Sequence, residues 1–461
     1  MVFTSNLFLF VFLPTFLAIY YLIPFRSRSA LILVFSYIFY GWWRPDFALL
    51  LGAVSVGTYV LTLVMESPQW SQRRFSVLTV GVSLNLAALA YFKYFNFGVD
   101  SLNEVLVFAG FMPFTYAHVV LPIGLSFFIF QALSYMVDVY RGDAPKTENL
   151  FDFAAFISFF PQLVAGPVLR YQPLADQFRH REHSWKIFSQ GCLIFMAGFC
   201  GKVLIADPMS PLVEAAFAIY NPTFADAWLG ISAYTIQLFF DFSGYSTMAI
   251  GLGLMVGFVF PPNFDDPYTS ASITEFWRRW HMSLSTWLRV YLYIPLGGNR
   301  LGRLRTYVNL TLTMVLGGLW HGANWTFLVW GAWHGGLLAL ERFWRERHPE
   351  PRLPRPIAVA WTLLMVMIGW VFFRAVDLAA ALRILSGMAG LSDWRISPDL
   401  AWQVAPERLL IMLFGGVLVF SLPWLRQRSE GRLRMLLIPL FLWAVATLSS
   451  QAFTPFLYFQ F

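Results

Sequence analysis

Apolar runs long enough to cross a lipid bilayer recur along this whole chain, with only short charged segments between them. A crossing takes about 20 apolar residues as helix. Such runs occupy 7–25, 47–65, 76–95, 119–140, 187–205 and 228–256, then 307–320, 325–340, 357–373, 409–424 and 435–450. Two shorter ones lie at 30–43 and 151–168, and the latter, which carries Pro161, Gly166 and Pro167, reads as a broken re-entrant or interfacial segment that protein or water must shield. Of the 461 residues, 58% are hydrophobic and 12% charged, against roughly 25% charged in soluble domains. Lipid must therefore solvate much of the surface. The pattern predicts an all-α integral membrane protein, one multi-spanning domain over 1–461 without a soluble appendage or a visible internal repeat.

The net charge of +7 is explained by topology, because the basic residues fall between apolar runs. No basic stripe has a soluble scaffold to display it, so nucleic acid is not an expected partner. Arginines and lysines crowd after the first run (Arg26, Arg28), after the third (Arg73, Arg74) and after the fifth (Arg141, Lys146). They recur at Arg342, Arg345, Arg347, Arg352 and Arg355, and at Arg426, Arg428, Arg432 and Arg434. The positive-inside rule puts these loops in the cytoplasm and both termini outside. No Lys or Arg precedes Arg26, so the first run lacks the n-region of a cleaved signal peptide and should stay as an anchor. Cys192 and Cys200, eight residues apart in one apolar run, lie about 12 Å apart on a helix, too far for a disulfide. The spacing of a zinc site is absent, and no metal is expected.

Ionisable residues within membrane segments are costly and become functional candidates. The densest set is ASITEFWRRWHMSLSTWLRVYLYIPLGGNRLGRLR (271–305). Read as one helix over 272–293, it puts Trp277, His281, Leu284 and Leu288 on one face. Glu275 and Arg279 form an i,i+4 pair, and Thr274 can bond backbone near the helix start. Arg278, Arg279 and Arg289 suit headgroup contact, charge pairing, or a phosphorylated donor, whose oxygens a guanidinium matches bidentately. In GGLWHGANW (317–325), His321 stands among three glycines. It is either a core histidine at a helix kink or a general base. His334 falls on another face of a straight helix and reads as structural. Asp241, inside QLFFDFSGY (237–245), needs a partner if buried and is suited to orient an arginine or a histidine. His118, His180, His183 and His348 read as solvated loop residues. No phosphate-binding loop, dinucleotide fingerprint, HExxH or nucleophile elbow is present.

These residues resemble the membrane-bound O-acyltransferase family, in its alginate-acetylating branch. The matching stretches are LPIGLSFFIFQALSYMVDVYRGD (121–143), FPQLVAGPVLRY (160–171), QLFFDFSGYS (237–246), ITEFWRRWHMSLSTWLR (273–289), YLYIPLGGNR (291–300) and LGGLWHGANWTFLVWGAWHG (316–335). The opening MVFTSNLFLF and the closing PFLYFQF are similar as well. The resemblance implies a ring of transmembrane and short tilted or re-entrant helices around a funnel. It makes His321 the essential histidine and His281 the second motif histidine. Trp277, Arg279, Trp280, Asp241, Trp320 and Asn324 become the substrate-binding candidates. It further implies acetyl transfer from a cytoplasmic thioester, acetyl-CoA, with no bound cofactor, at the bacterial inner membrane. Periplasmic or membrane-anchored partner proteins would carry acetyl to hydroxyls of alginate, with cellulose or peptidoglycan as alternatives. A polysaccharide conduit and a non-catalytic scaffold are the rival classes. Val290 and Thr247 stand where the family pattern reads Asp, which removes a charge partner from Arg289 or a neighbour.

Overall fold

The computed structural model describes residues 1–164, 166–348, 353–428, 432–450 and 456–457. Arg352, the side chains of Arg426, Arg428, Arg432 and Arg434, and most of the closing PFLYFQF lie outside the described residues. Every regular element among the described residues is a helix. Six are long and apolar enough to cross a membrane: Pro45–Glu66, Pro68–Phe108, Trp185–Ala218, Phe224–Met255, Arg355–Arg374 and Pro406–Leu425. The first has 22 residues, about 33 Å at 1.5 Å per residue, which covers a hydrocarbon core of about 30 Å. Burial varies widely among them: 78% of the most apolar stretch of Phe224–Met255 is enclosed by protein, and 11% of that in Pro406–Leu425. The latter turns Leu410, Leu413, Phe414, Val417 and Phe420 outward, a surface only lipid can solvate.

The chain packs as two compact units. The first comprises Met1–Cys192 with Met248–Phe260, the second Leu193–Thr247 with Pro261–Phe461. In the first unit, the segment expected to be broken is broken. Helix Leu150–Ser158 stops at Phe159, and a short helix Phe160–Leu163 follows. Free backbone at membrane depth needs partners, and protein supplies them: the Phe160 amide donates to Ser36 Oγ at 3.0 Å, and Gln162 Nε2 donates to the Phe156 carbonyl at 2.6 Å. Gly124, at φ +76°, lets its backbone meet the Leu163 carbonyl, where a Cβ would come within 2.5 Å.

That glycine also corrects an expectation. The run at 119–140 is helical only from Leu125 to Arg141, because Pro122 and the left-handed Gly124 hold its start extended. Asn96 clamps the extended piece, donating to the Val119 carbonyl at 2.8 Å and accepting from its amide at 3.0 Å. A second correction concerns His183. It is half-buried, not solvated, with Nε2 3.1 Å from both the Tyr20 hydroxyl and Arg28 Nη1.

The second unit is organised by a hairpin, helices Arg303–His321 and Trp325–Arg347. Glycines let the two backbones touch. A Cβ on Gly335 would lie 2.7 Å from Thr311 Cα, and one on Gly331 or Gly318 would strike a carbonyl oxygen of the facing helix. Elsewhere in this unit Lys202, Asp207 and Asp241 form a buried ion triad, with Nζ 2.5 Å from Asp207 and 2.8 Å from Asp241.

Candidate functional site

The basic segment 272–293 is not one helix. Helix Ile273–Arg279 ends at Trp280, whose backbone is extended, and helix Met282–Leu288 follows. Between them His281 takes a left-handed conformation, φ 45° and ψ 53°, which costs energy for any residue but glycine. Asn263 compensates. Its Oδ1 accepts from the Ser283 amide at 3.1 Å and the Ser283 hydroxyl at 2.8 Å, and lies 3.1 Å from His281 Nδ1. Its backbone carbonyl accepts from the Met282 amide at 2.9 Å. With an acceptor facing Nδ1, the proton is assigned to that nitrogen and the lone pair to Nε2. Asn263 carries no signal in the sequence that would mark it. The cap of the first helix is Ser272, whose hydroxyl accepts from the Glu275 amide at 3.1 Å, not Thr274. Thr274 instead accepts from Arg345 at 2.6 Å.

The break turns His281 inward, 1% exposed, with its ring 6.3 Å from that of His321. His321 closes helix Arg303–His321 at the hairpin turn. Gly322 is needed there because the Phe327 ring packs where a Cβ would stand. The His321 ring meets Trp320 at 5.0 Å, Trp330 at 5.2 Å and Phe373 at 5.2 Å. The two motif histidines thus come together from separate elements inside an aromatic wall.

A cavity of about 560 Å³ leads to His321. Trp277, Trp330, Leu284, Leu288, Met314 and Leu338 give it an apolar interior, and Arg278, Arg289, Arg342 and Arg345 also line it. Two of these guanidiniums are committed: Arg342 pairs with Glu346 at 3.0 Å, and Arg345 pairs with Glu341. Arg278 and Arg289 make no side-chain hydrogen bond or ion pair among the described residues. Val290, the next residue after Arg289, offers it no charge.

The other candidates fall into two groups. Trp277 lines the cavity beside His321. Arg279, Trp280, Trp320, Asp241 and Asn324 are not among its lining residues. Arg279 is held by Glu275 at 2.8 Å. Trp280 packs among Trp370, Phe276 and Tyr268 with ring centroids 5.0, 5.6 and 5.8 Å away. Trp320 is 3% exposed, against both histidines. Asp241 orients neither an arginine nor a histidine of the site; it binds Lys202 and accepts from the Leu457 amide at 3.0 Å. Asn324 caps helix Trp325–Arg347 through the Thr326 amide at 3.0 Å and donates to the Val376 carbonyl at 2.9 Å. His334 is fully buried and meets Trp330 at 5.2 Å, as His321 does. The straight-helix geometry that would separate these two histidines does not apply, because the chain turns between them. Lys202 was findable: a lone lysine in an apolar run calls for a carboxylate.

Comparison with known proteins now adds to this geometry. The family description "MBOAT, membrane-bound O-acyltransferase family" matches residues 38–378. A probable alginate O-acetylase AlgI of Azotobacter vinelandii is 50% identical over 100% of both chains. A peptidoglycan O-acetyltransferase of Helicobacter pylori is 35% identical, covering 85% of this chain and 80% of that one. A teichoic acid D-alanyltransferase of Streptococcus thermophilus is 27% identical over 54% of this chain and 68% of its own length.

Proposed function

This chain belongs to the membrane-bound O-acyltransferase family, and from that premise we propose that it takes acetyl from acetyl-CoA at the cytoplasmic face of the inner membrane and delivers it for O-acetylation of an alginate-type exopolysaccharide. One observation carries the reading: one cavity joins His321 to two arginines that have no acidic partner among the described residues. A thioester of a phosphorylated carrier has the complementary parts. Its phosphates suit Arg278 and Arg289. Its apolar arm suits the leucine and methionine walls, and its acyl end reaches the histidine. Arg342 and Arg345, which line the same cavity, belong to a basic segment that the charge rule assigns to the cytoplasm.

In the proposed reaction His321 takes the proton from a hydroxyl of the acceptor. The oxygen attacks the thioester carbonyl, an ester C–O bond forms, the C–S bond breaks, and the thiolate leaves to be protonated by the imidazolium. Proton transfer of this kind contributes about 10²–10⁴-fold. His281, pinned by Asn263, sets the orientation of the ring wall beside it. The acceptor hydroxyl belongs to the saccharide or to a periplasmic or membrane-anchored partner protein that relays the group. The 50% identity to a probable alginate O-acetylase favours alginate over the peptidoglycan alternative, whose named relative is 35% identical.

Purified protein supplied with radiolabelled acetyl-CoA tests this directly. Wild type should release CoA, and His321→Ala should lose about 10²–10⁴-fold of that rate while inserting and eluting normally. Release that persists in the variant removes the base assignment. No release by wild type, with partner proteins restored, returns the conduit or scaffold reading.

A further inference from the structure

At the end of helix Trp325–Arg347 away from Arg342, another pair of arginines makes no hydrogen bond or ion pair among the described residues. Helix Trp325–Arg347 places Arg342 about 26 Å along its axis from Trp325. At the Trp325 end, the Asn324–Val376 hydrogen bond of 2.9 Å ties the turn that follows His321 to the turn that follows Arg374. Arg374 ends helix Arg355–Arg374, and its guanidinium lies 5.6 Å from the Phe217 ring centroid. Arg383, on helix Leu378–Met388, lies 4.7 Å from the Tyr220 centroid. Neither guanidinium makes a hydrogen bond or ion pair among the described residues.

The local carboxylates are engaged elsewhere. Asp377 accepts from the Ala380 amide at 2.6 Å, Asp393 from the Trp394 amide at 2.6 Å, and Asp226 from the Thr223 and Ser397 amides at 3.1 and 3.0 Å. Buried behind Phe217, at a ring distance of 5.8 Å, Tyr234 has a hydroxyl without a partner among the described residues. Tyr220 is 72% exposed, and Trp394, stacked on Phe224 at 4.4 Å, is 65% exposed. The Phe224 amide donates to the Asp393 carbonyl at 2.7 Å, which joins the two aromatic loops.

We infer that Arg374 and Arg383, with Tyr220 and Trp394, form an acceptor subsite that recognises the carboxylates of a polyuronate. This rests on the acetyl-acceptor reading above and deepens it. Each guanidinium lies over a different ring, an arrangement that suits anions repeated along a polymer better than one phosphate. Exposed aromatic rings supply flat apolar faces for sugar rings, and guanidinium forks match carboxylates. The subsite sits beside the hairpin turn that carries His321.

The test is equilibrium binding of a fluorescent oligouronate to the full-length protein in nanodiscs of zwitterionic lipid. A neutral oligosaccharide of equal length is the control. Wild type should bind the uronate and not the neutral sugar. Arg374→Gln with Arg383→Gln should weaken binding about tenfold or more, since a charged hydrogen bond is worth about 1.5–3 kcal/mol. Arg383→Lys, which keeps the charge, should retain part of it. Unchanged affinity in the double variant overturns the inference, as does equal binding of the neutral sugar. Uronate binding that survives while affinity for phosphatidylglycerol vesicles falls would make this a headgroup site instead, and loss confined to a partner protein would make it a docking patch. Should the double variant fail to fold, the single Arg383→Gln at its half-exposed position reads the same quantity. No donor or turnover is involved, so this measurement fails independently of the thioester assay.

Discussion

Two charged regions of the second unit are built on opposite terms. In the ion triad, Lys202 is 1% exposed and lies within 2.8 Å of two carboxylates, and Asp241 also accepts a backbone amide. In the cavity, Arg278 and Arg289 face open space with no partner among the described residues. Both regions place costly ionisable groups within a membrane protein. The triad resolves that cost internally and so acts as framework. The cavity leaves it for a ligand to resolve. Partnership and burial together, not charge, separate structure from site here.

Removing Lys202 should break the comparison most severely. Lys202→Ala strands two carboxylates in the interior, and losing one member of a buried pair costs about 3–5 kcal/mol. Thermal unfolding in detergent should show a large loss of stability. An unchanged midpoint would mean that the triad is not framework. A smaller, purely functional effect is expected at the cavity. Arg278→Gln and Arg289→Gln should each raise KM for acetyl-CoA about tenfold with kcat and stability nearly kept, and the wild-type KM should rise with salt. A fall in kcat with KM unchanged would remove the donor-phosphate role. The smallest effect belongs to Arg279. Its i,i+4 pair with Glu275 is worth about 0.3–0.5 kcal/mol, so Arg279→Gln should leave KM within about twofold. A tenfold rise there would dissolve the distinction between committed and free arginines.

Much of this architecture could be read directly. The helical runs, their order and the broken segment near Phe159 follow from apolar length and from proline and glycine, because those effects act within a few residues. His321 and His281 stood out for the same reason: a polar residue in an apolar frame is conspicuous. Arg279 and Arg278 differ by one position, and the i,i+4 spacing already assigns Arg279 to Glu275. Only the tertiary structure decides that Arg278 lines the cavity. His334, read as structural, lies outside the cavity lining, and the chain turn at Gly322 rather than a helix face sets its place relative to His321.

The sequence by itself determined that this chain lives in a membrane as helices, that it belongs with the O-acyltransferases, and which histidines are its site candidates. Apolar length and motif identity are properties of neighbouring residues. Tertiary structure alone decided that Asn263 holds His281 in its left-handed turn, that Lys202 claims Asp241, and that Arg278 and Arg289 have no acidic partner among the described residues. Those outcomes depend on which distant side chains arrive within hydrogen-bonding distance, and a bond of about 3 Å between residues far apart in the chain leaves no mark on either residue's local pattern.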